Sequence, residues 1–316
     1  MSGAMQSANP TGMPSGTVPG AAHGAAHGAA QARRLGFGGA LRAEWCKVWS
    51  VTSTYVLLVL AIVFFAVNSL MMGWLMRFVE SQGDGGMPLG NEDLWAAVSS
   101  GATNVLLIVG ILGVMVLTSE FSSSSIITSL TVNPRRVMFM NAKAVVLAAV
   151  TFLASFVGAL LSWGCAAIML GSSLTTGNAE MPAAMPWVTL FGVPLAMALG
   201  AVLSMGFGAL CRSTVGGVLC VVVLFMIVPS MLQMVQLLGE KFTWVVSLNN
   251  CLPANTLVTF AGTGANSFVN SANAQLTMGS SHPFQPSWGW AGLIYVVWAV
   301  VIYTAGVFVM SRRDVK

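Results

Sequence analysis

In a chain of 316 residues, 56% are hydrophobic and 7% charged, which excludes an ordinary soluble domain, where about a quarter of the residues carry charge. The mean hydropathy of +0.82 places the chain among integral membrane proteins. The net charge of +4 does not point to nucleic acid, because the cations flank hydrophobic segments, where membrane orientation calls for them.

Residues 1–32 hold Ala, Gly, Ser and Pro but no Lys, Arg, Asp or Glu, and AAHG repeats across Ala21–Gly28. Such a composition buries too little apolar surface to order itself and predicts a disordered tail. It lacks the basic start and continuous apolar core of a secretory signal. His23 and His27 are able to bind a metal, but two histidines on a flexible tail are not expected to make a metal site. The stretch 33–53, RRLGFGGALRAEWCKVWSVTS, sets Leu41, Trp45, Val48 and Trp49 at helical spacing, with Arg42, Glu44 and Lys47 on other faces. It predicts an amphipathic interfacial helix with Trp45 and Trp49 at headgroup depth, and Glu44 and Lys47 beside them.

The remainder, 54–316, reads as one all-α domain of six transmembrane helices. The spans cover about 55–76, 99–118, 144–170, 187–210, 215–237 and 290–310, each near the roughly 20 apolar residues that a crossing needs. Cys211 to Thr214 alone separate the fourth from the fifth, so a tight turn joins them. Of the thirteen Lys and Arg, eleven fall on one side of this arrangement and only Arg77 and Lys241 on the other. The positive-inside rule then predicts both termini in the cytoplasm. Before the last span, FTWVVSLNNCLPANTLVTFAG is too apolar for a free loop, and its two parts are too short and broken to span. It predicts re-entrant or external helices broken at Leu252-Pro253, followed by an exposed loop rich in Asn, Ser, Gly and Pro.

Between the second and third spans lies EFSSSSIITSLTVNPRRVMFMNAK, Glu120–Lys143. Phe121, Ile126, Ile127 and Leu130 among serines and threonines can form one apolar stripe on a short surface helix. Pro134 would stop that helix, because the residue before proline avoids the α region. Two readings of this stretch stand: a positive-inside loop anchored by Arg135 and Arg136, or a docking element for a partner.

No Asp, Glu, Lys, Arg or His falls inside the six spans as drawn, which weighs against an ion-coupled carrier. Asn68, Asn104, Thr151, Ser155 and Ser162, with Gln233 and Gln236 near one end of the fifth span, are polar residues at depth. They fit either a pathway lining or hydrogen bonds between packed helices. Glycines such as Gly110, Gly113, Gly206 and Gly208 fit close helix packing. The five cysteines form no CxxC or Cys/His cluster, so no disulfide framework and no metal site is indicated. The sequence contains no G-x-x-x-x-G-K-S/T phosphate loop and no recognisable catalytic set. The chain is therefore not expected to be an enzyme by itself, and any nucleotide hydrolysis must come from a second chain.

Several motifs resemble the permease subunits of bacterial ABC transporters of the type-2 exporter family. Those permeases carry a Glu-x-x-Lys segment before the first span, matched by Glu44 and Lys47. After the second span they carry Glu-Tyr, Gly-Thr, Leu, Pro-Arg-Arg and Ala-Lys in order. Here these positions hold Glu120-Phe121, Ser124-Ser125, Leu130, Pro134-Arg135-Arg136 and Ala142-Lys143, and Ser124-Ser125 depart from the family's Gly-Thr. Leu252-Pro253 and Asn255 resemble a Leu-Pro-x-Asn segment before the last span. The resemblance covers about residues 38 to 313. It implies a cytoplasmic coupling helix after the second span, with Glu120, Phe121, Ser124, Ser125, Arg135 and Arg136 at a docking surface and Arg212 at a second contact. It further implies an ATPase subunit that binds ATP and Mg, a second permease subunit, identical or not, and a bacterial plasma membrane. The implied activity is export of a hydrophobic or amphipathic substrate such as a drug, antibiotic peptide or lipid. A channel or carrier outside this family, or a membrane anchor or sensor, is the alternative.

Overall fold

The structure is a computed structural model that describes residues 37–82, 89–122, 136–171, 174, 181–236, 243–263 and 284–312. The tail 1–32, Ser124, Ser125, Arg135 and the loop after Thr263 lie outside the described residues. Among those described, the secondary structure is helical and no strand forms. In chain order the helices are α1 (Phe37–Ser50), α2 (Thr52–Gln82), α3 (Asn91–Ser99), α4 (Ala102–Ser122) and α5 (Arg136–Leu170). They continue with α6 (185–211), α7 (214–236), α8 (Thr243–Asn250), α9 (Pro253–Gly262) and α10 (Trp288–Arg312). Helices α6 and α7 each contain one π turn, Val188–Gly192 and Val223–Ile227 respectively.

Six helical stretches, with α3 and α4 forming one of them, are long and apolar enough to cross a bilayer. The chain is thus a multi-pass membrane protein. The helices run past the expected spans. The 31 residues of α2 would extend about 46 Å at 1.5 Å per residue, well beyond the roughly 30 Å hydrocarbon layer. Nothing in Arg77–Gln82 stops a helix, so the backbone bonds continue into polar surroundings. Residues 89–98, expected as loop, instead contain most of α3. Gly90 opens that helix, and its N–H donates to the Asp93 carboxylate at 3.0 Å. A break at Ser100-Gly101 then separates α3 from α4.

The arrangement has α4 and α6 at its centre. α4 lies along α6, α2 along α5, and α10 along α6. The α3–α4 and α6 spans are each 61% buried within the protein, against 17% for the α7 span. Exposed Val, Leu, Met and Phe side chains cover the outer faces of α2, α7 and α10, as lipid-facing helices require. Close approach at the centre depends on glycine. A Cβ on Gly113 would collide with the Ala201 carbonyl of α6, and one on Gly206 would meet the Ile302 carbonyl of α10 at 2.7 Å. Small residues permit this contact in the absence of a hydrophobic driving force between helices.

The turn between α6 and α7 is as tight as the sequence requires. Arg212 takes the left-handed conformation at φ 51° and donates its N–H to the Gly208 carbonyl, closing α6. Thr214 then donates to the Thr118 hydroxyl of α4 at 2.9 Å, which fixes this turn at the Glu120 end of the bundle. The expected break at Leu252-Pro253 is also present: Leu252 is extended and Pro253 begins α9, where a missing N–H costs no helical bond. Trp298 of α10 donates to the Cys251 carbonyl at this break, at 2.9 Å.

Replacing Gly113 with Leu should lower the thermal unfolding midpoint of the detergent-solubilised protein by an amount equivalent to about 1–3 kcal/mol, the usual cost of overpacking. Gly164→Ala, where a Cβ meets nothing within 4 Å, should leave the midpoint unchanged or raise it slightly. Equal effects of the two substitutions would contradict the packing assigned to Gly113.

Candidate functional site: a buried ring of charge

Glu44, Lys47, Glu120 and Lys143 come from three segments far apart in sequence, and they meet at one end of the bundle. Helix α1 presents Glu44 and Lys47 one turn apart. The last turn of α4 holds Glu120, and the second turn of α5 holds Lys143. The Lys143 ammonium donates to Glu44 Oε2 at 2.6 Å and to Glu120 Oε1 at 2.8 Å. The Lys47 ammonium donates to Glu120 Oε1 at 2.9 Å and to Glu44 Oε1 at 3.3 Å. Charges therefore alternate around a closed ring whose net charge is zero. The Phe139 ring, one turn before Lys143 on α5, lies 5.2 Å from the Lys143 ammonium and 5.9 Å from that of Lys47, within cation–π range.

Burial divides the ring. Glu44, Glu120 and Lys143 are buried, whereas the Lys47 side chain keeps 42% of its exposure. A buried charge persists only when paired and hydrogen-bonded, and Lys143 has both carboxylates within reach. Burial pulls the Lys47 pKa down, but the hydrogen bond and charge of Glu120, followed by those of Glu44, outweigh it and raise the value above 10.5. The folded chain thus holds this proton more tightly than the unfolded chain. That contribution is complete below the unfolded value and is lost only as pH rises through the higher folded one.

The ring extends one sequence expectation and corrects another. The spans as drawn carry no ionisable side chain, yet the helices that contain them carry Glu120 and Lys143, and both are buried. Helical structure extends beyond the apolar run at each end, and mutual pairing offsets the cost of burial. Glu120 was also expected at the start of a surface helix; it lies instead in the last turn of α4. A carboxylate there is opposed by the helix dipole, which makes the two ammonium partners necessary.

The other expected site residues are distributed around this end. Phe121 is half-buried and packs against the core. Arg136 opens α5. Arg212 stands at the turn tied to Thr118. On α1, Trp45 and Trp49 are exposed and meet edge-to-face at 6.2 Å. Asn68 and Asn104 are joined directly, the Asn104 amide donating to the Asn68 carbonyl oxygen at 2.8 Å, while Asn68 donates to the Phe64 carbonyl of its own helix. Gln233 is exposed near the end of α7, and Gln236 is that helix's last residue. Ser69 of α2 donates to the Ser162 carbonyl of α5 at 2.9 Å, and Thr151 donates to Leu147 within α5. The Asn104–Asn68 and Ser69–Ser162 bonds join neighbouring helices, whereas those to Phe64 and Leu147 stay within one helix. Among the described residues, no group of three or more His, Cys, Asp and Glu could hold a metal ion.

Glu44, Lys47 and Glu120 are candidate site residues by sequence, whereas Lys143 enters there only as part of the Ala142-Lys143 motif. The signal for it was the charge pattern: two acids and two lysines, each placed at the edge of an apolar run. No family model matches the chain, and no curated protein sequence matches it.

Lys143→Met should leave two buried carboxylates sharing only the half-exposed Lys47 ammonium and cost about 3–5 kcal/mol, the usual penalty for breaking a buried pair. It should appear as loss of monodisperse protein in gel filtration. Lys47→Met, at a half-exposed position, should cost no more than about 1 kcal/mol. If Lys47→Met were as damaging as Lys143→Met, the division of the ring into buried and exposed halves would be wrong.

Proposed function

We propose that this chain is the membrane-spanning permease subunit of an ATP-driven exporter of the ABC type-2 class, operating in a bacterial plasma membrane with both termini in the cytoplasm. The observation that supports this reading is the convergence of the motif residues. The Glu-x-x-Lys pair before the first span, the glutamate after the second and the lysine opening the third were singled out in separate segments by resemblance. In the folded chain they form a single closed ring. Motifs that matched by chance would have no reason to meet.

On this reading the ring transmits force. A partner ATPase docks on the segment between Glu120 and Lys143 and on the turn at Arg212, and a second permease subunit completes the pathway. Because the ends of that segment are clamped to α1 through Glu120 and Lys143, a push on it moves α1, α4 and α5 together. Switching between two states of the pathway then follows from two states of the ATPase. The α1 helix lies in the membrane interface with Trp45 and Trp49 at the headgroups. The cargo is hydrophobic or amphipathic, a drug, antibiotic peptide or lipid, because the middle of the spans offers no charge to hold a small ion.

The test is co-purification. Arg135→Ala with Arg136→Ala should leave expression and the thermal midpoint unchanged, and should reduce the ATPase retained on the affinity-tagged permease about tenfold, as loss of an interface anchor does. The purified chain alone should not hydrolyse ATP. A cysteine placed at Asn266 should react with an impermeant maleimide in intact cells. Wild-type ATPase retention by the double variant would remove the docking assignment, and labelling only after permeabilisation would invert the topology.

A further inference from the structure

Two free cysteines meet at the turn between α6 and α7. Cys211 ends α6, Cys220 lies in the second turn of α7, and their sulfurs are 3.6 Å apart, in hydrogen-bond contact. Both side chains are half-buried. Glycine sets this approach. A Cβ on Gly216 would stand 3.3 Å from Cys211 Cβ, so its absence lets the end of α6 lie against the first turn of α7. Cys220 is four positions beyond Gly216, on the same face of that helix. A Cβ on Gly217 would meet Val114 of α4 at 2.6 Å, which seats the same turn on the centre of the bundle. Arg212 closes α6 onto Gly208, Ser213 caps α7 by accepting the Gly216 N–H, and Thr214 bonds to Thr118. The sulfurs are thus held side by side by the backbone around them, since an S–H donor is too weak to do so itself.

A thiol used only for packing behaves as a small apolar group and has no need of a second sulfur in contact. Contact matters for chemistry, because an oxidised thiol becomes a disulfide when another thiol is within its reach. Depth orders the pair. Cys211 is the last residue of its span, whereas Cys220 lies about 9 Å along α7 from Thr214 at 1.5 Å per residue. An oxidant from the aqueous phase therefore meets Cys211 first. The carbonyl end of α6 disfavours a thiolate there, so the pair stays reduced until oxidant is plentiful.

We propose that Cys211 and Cys220 are a redox modification site, at which a small peroxide converts the pair to an intrachain disulfide that staples α6 to α7 across their turn. The Cys211 thiolate attacks one oxygen of hydrogen peroxide. The S–O bond forms, the O–O bond breaks, and the departing hydroxide takes up the thiol proton as water. The Cys220 sulfur then attacks the sulfenic sulfur. The S–S bond forms, the S–O bond breaks, and the hydroxyl leaves with the Cys220 proton as a second water. The two sulfurs together give up two electrons, and the peroxide accepts them. Rotation about the two Cα–Cβ bonds brings the sulfurs to the bonded distance of about 2.05 Å. A small thiol reverses the step by exchange. The inference concerns the chemistry of this chain alone and does not depend on ATP-driven export.

The test uses the full chain in nanodiscs, reduced, freed of reductant and exposed to hydrogen peroxide with dimedone present to trap sulfenic acids. The chain is then denatured, its free thiols are alkylated, and it is digested with trypsin. Trypsin cuts after Arg212, between the two cysteines, so the staple appears as a linked pair of peptides. That pair should accumulate, the alkylated forms of Cys211 and Cys220 should be lost together, and dithiothreitol should restore both. Cys46, exposed on α1, should carry dimedone instead. With Cys220→Ser the sulfenic acid on Cys211 has no resolving thiol, and Cys211 should gain a dimedone adduct that the unmodified chain lacks. Dimedone on both cysteines of the unmodified chain without a linked pair would overturn the proposal. So would pairing of either one with Cys46 or with a second copy, or persistence of both as free thiols once Cys46 is consumed. The linked pair in the unmodified chain decides the matter even if Cys220→Ser fails to fold.

Discussion

Taking Lys143 out of water is the constraint on which one whole end of this protein depends. An unpaired ammonium in a low-dielectric interior is costly enough that the group would sooner lose its proton or the helix shift. Two carboxylates must therefore reach it, one from α1 and one from α4. Helix α1 has little else to fix its position, since its tryptophans face outward and its apolar contacts are confined to Leu41 and Val48. The ring sets the register of α1 against α4 and α5 in the way a single polar group sets register in a coiled coil.

At the opposite extreme of chemistry, the centre of the bundle is held by the absence of side chains. Gly113 lets α4 touch the backbone of α6, and Gly206 lets α6 touch α10. Contact at this distance supplies the van der Waals packing that replaces the hydrophobic effect inside a membrane. A tightly packed centre and a charged clasp at one end have different mechanical consequences. Packed α4 and α6 are in contact through their backbones, whereas the clasp ties the ends of α4 and α5 to α1 through side chains alone. A cavity lies where those two regimes meet, bounded by Glu120 of the clasp and by Leu112 and Val116 of α4.

The number of crossings was legible in the sequence because each requires a long apolar run, and no local context changes that. The break at Leu252-Pro253 was legible for a similarly local reason, since proline excludes the preceding residue from the helix. The tight turn at Arg212 followed from the four residues available. Element ends were not legible: hydropathy marks where the chain is apolar, while hydrogen bonding decides where a helix stops. Hence α2 continued to Gln82, α5 began at Arg136, and 89–98 held most of a helix instead of a loop.

The sequence by itself determined that this chain lives in a membrane, how many times it is able to cross and which segments carry its cations, because these depend on composition along a single run of residues. Tertiary structure alone decided what the charges do. Glu44 and Lys143 are 99 positions apart, and no periodicity links them. A lone lysine at the mouth of a span reads as an orientation signal, and a lone glutamate after one as a surface group. Only when α1 folds back against α4 and α5 do the four ends meet, and electrostatic energy that would be screened at a surface becomes a buried ring, because its strength depends on distance and burial, which one-dimensional order does not contain.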